Sequence, residues 1–284
     1  MPVSKPQNNP VQSDTGNGIP TLYGTPEGYD CLTLAKMARE VMADDRVIVH
    51  VALDDRRLET LHEALSFLAP DVDLAIFPAW DCLPYDRVSP HSDIVAQRVK
   101  ALSTVLSWQQ DKRRRPRILL TTVNAAMQKV MPAQTLSGLK FEAERGGRLD
   151  LGALKNFLVH NGYTRTDTVR EAGEYSIRGS IIDLYPPGYD QPVRIDTFGD
   201  EIETIRSFDP LSQRSTGDIN GFSLLPAAEF ELSDEAISRF RQSYREIFGT
   251  TGNNDPLYEA VSEGRRYNGM EHWLPLFHPR MTSV

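Results

Sequence analysis

The chain has 284 residues, of which 40% are hydrophobic and 25% are charged, as in ordinary soluble globular proteins, and it is long enough for two compact domains. Its formal net charge of −8 argues against broad, sequence-independent binding to nucleic acid, which needs a basic surface. No apolar run reaches the roughly 20 residues of a membrane span, and the N-terminus lacks the apolar segment of a signal peptide. The two distant cysteines predict reduced thiols and a cytoplasmic location.

Residues 1–20 are rich in Pro, Asn, Ser and Gly and predict a disordered tail. Residues 21–132 predict an α/β domain, in which apolar runs typical of strands buried on both faces alternate with helical patterns. Strands separated by helices pair in parallel, so we expect a parallel, doubly wound sheet. The predicted strands are 46–52, 73–79 and 117–123. The predicted helices are 31–43, a helix that begins at Asp54 and Asp55, 93–106, and a short helix that ends at Val130. Ser92 is the predicted N-cap of the third helix and Asn124 that of the fourth.

The pattern changes near Met131, where Pro and Gly interrupt the chain. Residues 133–213 predict a small α+β domain with one amphipathic helix, followed by alternating strands and tight turns typical of antiparallel hairpins. Phe198–Glu201 is the predicted turn of one hairpin, and Gly179 is interpreted as a β-bulge. After a helix over 233–248, the chain ends in a loop-rich segment whose apolar residues we expect to pack against a part of a longer protein beyond residue 284: Trp273, Leu274, Leu276 and Phe277.

The stretch YGTPEGYDCLTLAKMARE (residues 23–40) has the outline of a phosphate-binding loop that opens a helix, with Gly24 and Gly28 around a turn. A working loop needs a lysine for the phosphates and a Ser or Thr hydroxyl for Mg²⁺. Here Thr33 is the nearest hydroxyl, and Lys36 lies well inside the predicted helix. We therefore predict a degenerate phosphate loop that retains at most a stray anion, no ATPase activity and no cofactor.

Other motifs give no catalytic or metal site. The six histidines lack the spacing of a zinc site, and neither a catalytic triad nor a nucleophile elbow is visible. The basic run Lys112–Arg117 is interpreted as a solvated loop rather than a nucleic-acid contact, because no aromatic residues are interleaved with it.

The most distinctive predicted surface lies in the small domain. Strand alternation places Arg194, Asp196 and Phe198 on the face opposite Val193 and Ile195. Arg178 and Arg165 are expected in the same sheet. Arginines next to aromatic rings are typical of the energetic centres of protein interfaces. A charged face exposed only to solvent is an equally good interpretation of these residues alone.

Four long blocks of the chain resemble a known family: FPAWDCLPYDRVSPHSDIVAQRVKAL, GYTRTDTVREAGEYSIRGSIIDLYPPG, RIDTFGDEIETIRSFDPLSQRS and LLPAAEF. They are similar to the N-terminal part of the bacterial transcription-repair coupling factor family (Mfd), which is homologous to the excision-repair protein UvrB. The resemblance covers the chain from about residue 20 onward. It implies a degenerate P-loop NTPase-like α/β domain, an inserted small domain, and a return segment over 214–284 that completes the first domain.

The resemblance also implies a partner and a set of contact residues. In the family, the small domain docks onto UvrA, the damage-sensing ATPase of nucleotide excision repair. The matching positions here are Arg165, Arg178, Tyr185, Arg194 and Asp196. UvrB has a further arginine where this chain has Ser176, and UvrB's long DNA-clamping hairpin corresponds here to a short loop with one tyrosine, Tyr85.

The prediction is therefore a non-catalytic module of a coupling factor, binding UvrA through Arg165, Arg178, Tyr185, Arg194, Asp196 and Phe198. The resemblance implies that ATP-driven DNA translocation and binding to RNA polymerase belong to regions beyond residue 284, and that other domains mask the docking face. Two alternatives remain open at this point. One is a nucleotide-binding helicase domain using residues 24–33, and the other is a DNA-binding module using Lys112–Arg117.

Overall fold

A computed structural model of the chain describes residues 12–14, 21–23, 26, 28–83, 86–249 and 255–283. Gly24 and Tyr85, both singled out by the sequence, lie outside the described residues. The chain divides into two compact units, one of Met1–Leu74 with Arg113–Leu120 and one of Ala75–Lys112 with Thr121–Val284. This division differs from the predicted α/β domain over 21–132, because residues 75–112 and 121–132 group with the C-terminal half.

The N-terminal half alternates strands and helices, as predicted. Its elements are β1 (Gln12–Asp14), β2 (Thr21–Tyr23), α1 (Tyr29–Val41), β3 (Ile48–Ala52), α2 (Asp55–Leu68), β4 (Asp73–Phe77), α3 (Ser92–Gln110), β5 (Arg117–Thr122) and α4 (Val123–Met127). Strands β1 and β2 pair antiparallel, so the tail predicted to be disordered contains one short strand.

Strands β3, β5 and β4 form a three-stranded sheet in that order. All six residues of the central strand β5 are buried, as predicted. The prediction that β3 is buried on both faces is wrong, because Val49 and Val51 are exposed while Ala52 is buried. Strand β3 is an edge strand of this sheet, and an apolar run alone does not distinguish an edge strand from a central one.

Two predicted helix caps are displaced by one or two residues. The ring of His91, not Ser92, accepts the hydrogen bond that caps α3, from the backbone N–H of Asp93. At α4, the hydroxyl of Thr122 rather than Asn124 accepts from the backbone N–H of Ala125. In both cases the predicted cap is already inside the helix.

The second half of the chain begins with the small domain, and its elements are α5 (Ala133–Gly138), β6 (Phe141–Glu144), α6 (Leu151–His160), β7 (Thr164–Arg165), β8 (Glu174–Arg178), β9 (Ile181–Leu184), β10 (Val193–Phe198), β11 (Glu201–Phe208), β12 (Ser215–Asp218), β13 (Gly221–Leu224), α7 (Asp234–Phe248), α8 (Pro256–Ser262) and α9 (Leu274–Phe277). Six of these strands form one sheet in the order β12-β11-β10-β9-β8-β7. Pairing within the sheet is antiparallel except between β7 and β8, which run parallel.

Two tight turns fix the register of this sheet. The predicted turn after Phe198 is confirmed, with Gly199 at φ 62° between β10 and β11. The interpretation of Gly179 as a bulge is wrong: Arg178 pairs directly with Ile181, and Gly179 (φ 62°) belongs to the two-residue turn between β8 and β9. Register shifts lie instead in the pairing of β10 with β11, between Asp196 and Thr197, and in the pairing of β11 with β12, between Ser207 and Phe208.

The core of the small domain lies on one face of the six-stranded sheet. Helix α6 covers this face with Leu154 and Leu158, and the two-stranded sheet of β6 and β13 contributes Phe222 and Leu224. Strand β12 pairs with β11, and β13 pairs with β6. The sheets of the small domain therefore continue past residue 213, the boundary that the sequence indicated.

The C-terminal segment forms its own aromatic core around α7. The Phe240 ring stacks on Phe277 at a centroid distance of 4.9 Å, and Phe277 stacks on Phe230 at 5.2 Å. Leu274 and Leu276 are buried in the same cluster. The expectation that these residues need partners beyond residue 284 is therefore wrong for Leu274, Leu276 and Phe277, and the Trp273 ring also finds partners within the chain.

A buried ion pair joins this segment to α3. The Arg98 guanidinium, fully buried, donates to both carboxylate oxygens of Glu229, from Nε to Oε1 at 2.5 Å and from Nη2 to Oε2 at 3.1 Å. Its Nη1 donates to the Pro78 carbonyl and the Gln128 side chain, both at 2.7 Å. Trp80 Nε1 donates to Glu229 Oε1 at 2.8 Å. Both charged groups are thus paired and hydrogen-bonded, as buried charges must be.

Candidate functional site

The six-stranded sheet presents a polar row on the face opposite its core. The strand register aligns Ser176 with Asp183, Asp183 with Arg194, Arg194 with Arg206, and Arg206 with Asp218. Side chains of directly paired residues lie on the same face of a sheet, and this row alternates with the buried apolar rows. We call these five residues the polar row.

Asp183 is the centre of the row, and two arginines converge on it. Arg194 is bidentate, with Nε 2.7 Å from Oδ1 and Nη2 2.9 Å from Oδ2. Arg178, in the neighbouring strand, donates from Nη2 to the same Oδ2 at 2.7 Å. The exposed fraction of the side chain is 1% for Asp183, 20% for Arg194 and 54% for Arg178. A buried carboxylate thus holds one covered and one exposed guanidinium group.

Arg194 is fixed from several sides. Its guanidinium lies over the Phe208 ring, 4.6 Å from the centroid, and Nη1 donates to the Gln213 carbonyl at 3.2 Å. The hydrogen bonds to Asp183 raise the pKa of Arg194, against the opposing effect of partial burial. Gln213 in turn donates from its amide to the carbonyls of Val169 and Pro210. These contacts hold the Arg194 side chain in one orientation.

The other predicted site residues lie outside this cluster. Arg165 is exposed on the edge strand β7 and pairs with Tyr175, whose side chain is in the core, so it is not aligned with the polar row. Asp196 pairs with Ile181, two residues along the strands from the pair of Arg194 with Asp183. Phe198 is exposed at the hairpin turn. At about 3.3 Å per residue, four residues place it roughly 13 Å along β10 from Arg194.

Tyr185, the last of the predicted contact residues, follows strand β9. It is partly buried, and its hydroxyl donates to the Asp190 carbonyl at 3.2 Å. Burial raises the pKa of this hydroxyl, and the carboxylates of Asp93 and Asp190 raise it further. Tyr185 therefore acts as a neutral hydrogen-bonding group.

Asp183 is the functional candidate that the sequence analysis missed. It stands in SIIDLY, between apolar residues that are in the core. A charged residue at such a position must be paired when the strand is buried, so it was a detectable signal. Its partners could not be identified from the sequence, because they depend on the register of three strands.

Among the described residues at the helix N-terminus after Gly28, neither the nearest hydroxyl nor the nearest lysine is free to hold a phosphate. Thr33 Oγ1 donates to the Tyr29 carbonyl at 3.0 Å, as a hydroxyl within a helix commonly does. Lys36 is exposed and pairs with Glu40 at 3.8 Å. Asp30 places a carboxylate in the first turn, where it accepts from the backbone N–H of Cys31 at 3.0 Å. A negative charge at this position opposes the binding of phosphate.

Within the described ranges, no group of three or more His, Cys, Asp or Glu side chains is arranged to hold a metal ion. No helix among the described residues is both long and apolar enough to cross a membrane.

Comparison with known proteins identifies the small domain. Residues 141–230, which contain both sheets of the domain and the whole polar row, match the family model of the UvrB interaction domain. The small domain is thus a protein-interaction domain of the UvrB type.

Curated relatives extend the match to most of the chain. It is 35% identical to the transcription-repair-coupling factor of Haemophilus influenzae over 90% of its own length and 22% of the relative. It is also 35% identical to that of Escherichia coli K12, over 92% of the chain and 22% of the relative, and to that of Myxococcus xanthus, over 81% and 20%. The chain is thus similar over most of its length to transcription-repair-coupling factors, and it spans about a fifth of the length of these relatives.

Proposed function

We propose that the chain is a non-catalytic recruitment module that binds UvrA and so links stalled transcription to nucleotide excision repair. The carrying observation is the exposed Arg178 guanidinium, held over the buried Asp183 carboxylate in a domain that matches the UvrB interaction family. Arginine held in this way presents several donors at a fixed geometry, which suits recognition of a partner's polar surface.

We assign the contacts as follows. Arg178 is the central anchor and Arg194 the covered support beside it. Asp196 and Tyr185 contribute polar contacts on either side, while Arg165 and Phe198 contact UvrA at the margins. Interfaces of this kind have a few energetic anchors surrounded by contacts of small effect. Arg178 should therefore carry more of the binding energy than Arg165 or Phe198.

The absence of catalysis is part of the proposal. Under this proposal, the three-stranded sheet with α1, α2 and α3 is the remnant of a doubly wound, phosphate-binding domain. Two contacts support it: the Thr33 hydroxyl is bound to a backbone carbonyl, and Lys36 faces solvent and pairs with Glu40. Binding to RNA polymerase, movement on DNA and masking of the docking face then belong to other domains of a coupling factor.

The test is binding of purified UvrA, measured by size-exclusion co-elution and calorimetry. Arg178→Ala and Arg165→Glu should each weaken binding, the first by about 2–4 kcal/mol if Arg178 is a true anchor. Lys155→Glu is the matched control, because Lys155 is exposed on α6, which covers the opposite face of the sheet. Wild-type chain that fails to bind UvrA, or Arg178→Ala that binds as well as Lys155→Glu, would contradict the proposal.

A further inference from the structure

We infer that Asp183 is the positioning residue of the docking face: it orients the Arg178 guanidinium before a partner arrives. The inference rests on the proposed function for its biological meaning. Asp183 does not itself reach the surface. Three short hydrogen bonds from Arg178 and Arg194 end on its buried carboxylate.

The carboxylate is needed because the two arginines are close. Arg178 Nη2 and Arg194 Nη2 both lie within 3 Å of Asp183 Oδ2. Two like charges at this separation repel each other, and a shared negative charge between them removes the repulsion. Without Asp183, the exposed member of the pair would turn towards solvent.

The two arginines differ in what else holds them. Arg194 has Phe208 beneath it and the Gln213 carbonyl as a further acceptor. For Arg178, the hydrogen bond to Asp183 is the one polar contact found within the described residues. Arg178 is therefore the residue whose orientation depends on Asp183, and Arg194 closes the carboxylate off from water.

Pre-orientation favours binding because a long side chain that is already fixed loses less freedom when the complex forms. One Arg178 amine is bound to Asp183, and the remaining donors of the planar group then point in a defined direction. Asp183 thus acts on the partner only through Arg178.

A double-mutant cycle tests this dependence with purified UvrA. Asp183→Asn keeps the size of the side chain and removes its charge, and we expect it to weaken binding about tenfold. In an Arg178→Ala background the same change should have little further effect. Asp218→Asn, in the same polar row but exposed and paired with Arg206, is the matched control and should bind within about twofold of wild type. Equal weakening by Asp183→Asn in both backgrounds would overturn the inference.

A second measurement uses the free wild-type chain and needs neither a partner nor a variant. The ¹⁵N relaxation of the arginine Nε–H groups in the free wild-type chain should show Arg178 ordered like Arg194, although more than half of its side chain is exposed. Exposed Arg165, which has no ion pair among the described residues, should be mobile. If Arg178 is as mobile as Arg165, Asp183 does not position it. If Arg178 is ordered but the wild-type chain does not bind UvrA, the positioning stands and the proposed function fails.

Discussion

At the residue scale, the molecule is organised by two buried carboxylates, Asp183 and Glu229, and by the arginines that meet them. Asp183 and its two arginines lie on three different strands, and Glu229 and its arginine lie on distant segments. Arg98 and Glu229 are 131 positions apart, and the sequence analysis identified neither. It did identify Arg178 and Arg194, from strand alternation and family resemblance. Strand alternation and family resemblance thus predicted the two arginines of the docking face, and the sequence analysis missed the buried acids.

Glu229→Gln should destabilise the chain by about 3 kcal/mol, because it leaves the fully buried Arg98 charge without its counter-charge. The free energy of unfolding in urea measures the effect. The control is Glu235→Gln, since Glu235 is exposed and pairs with Arg239 at 3.0 Å, and it should change stability by less than about 0.5 kcal/mol. Similar values for the two variants would show that the buried pair contributes nothing special.

His278 should make stability depend on pH. It is buried, its Nε2 is 3.1 Å from the Glu229 carbonyl, and burial lowers its pKa below the ordinary value of 6.5. Between 6.5 and the lowered pKa, the unfolded chain therefore binds more protons at His278 than the folded chain does. The contribution of His278 to the free energy of unfolding is complete above pH 6.5 and is lost as the pH falls from 6.5 towards the lowered pKa.

The free energy of unfolding measured from pH 7.5 to 5 should accordingly decline less steeply for His278→Gln than for wild type. Residual slope is expected from His50, whose pKa burial also lowers. An identical profile for His278→Gln and wild type would be the contrary result.

At the element scale, the sequence predicted most helices and strands within a few residues, and its errors have specific causes. Apolar content showed that β3 and β5 are strands, but the place of each strand in the sheet decided which one is buried. Gly179 was recognised as a special position, but a two-residue turn and a bulge both accommodate glycine. Caps were misplaced where a neighbour, His91 or Thr122, makes the hydrogen bond instead.

Gly179→Ala tests the turn between β8 and β9. A Cβ at this position would contact nothing within 4 Å, so its cost comes only from the φ of 62° and should be about 1–2 kcal/mol. Gly217→Ala in β12 is the control, because that site is equally open and its φ is not in the left-handed region. The melting temperature of Gly217→Ala should match or slightly exceed that of wild type. If Gly179→Ala also melts at the wild-type temperature, there is no backbone strain at the turn.

At the scale of the whole molecule, the sequence indicated a change of architecture near residue 132, and the structure has a separate core after it. The grouping of residues 75–112 with the C-terminal half was not predicted. It depends on contacts such as Arg98 with Glu229 and Trp80 with Glu229, which bring together segments far apart in sequence. No local pattern encodes such contacts.

The small domain should fold by itself when residues 139–232 are expressed alone. Its cluster of buried apolar residues runs from Leu149 to Leu224 and closes within this span, and Tyr163 donates to the Leu225 carbonyl at 2.7 Å. We expect a cooperative thermal transition and near-UV circular dichroism typical of fixed aromatic packing. A gradual transition without near-UV signal would mean that the rest of the chain is needed.

The distance in sequence between Arg98 and Glu229 has a consequence for biosynthesis. At roughly 5–20 residues per second, a ribosome needs about 7–26 s to add the 131 positions that separate them. During that interval the nascent helix α3 carries an arginine whose final counter-ion has not yet been translated, so its apolar surroundings cannot close. Burial of Arg98 must therefore wait until the glutamate has been translated, and during this interval the apolar residues around α3 stay open to chaperones.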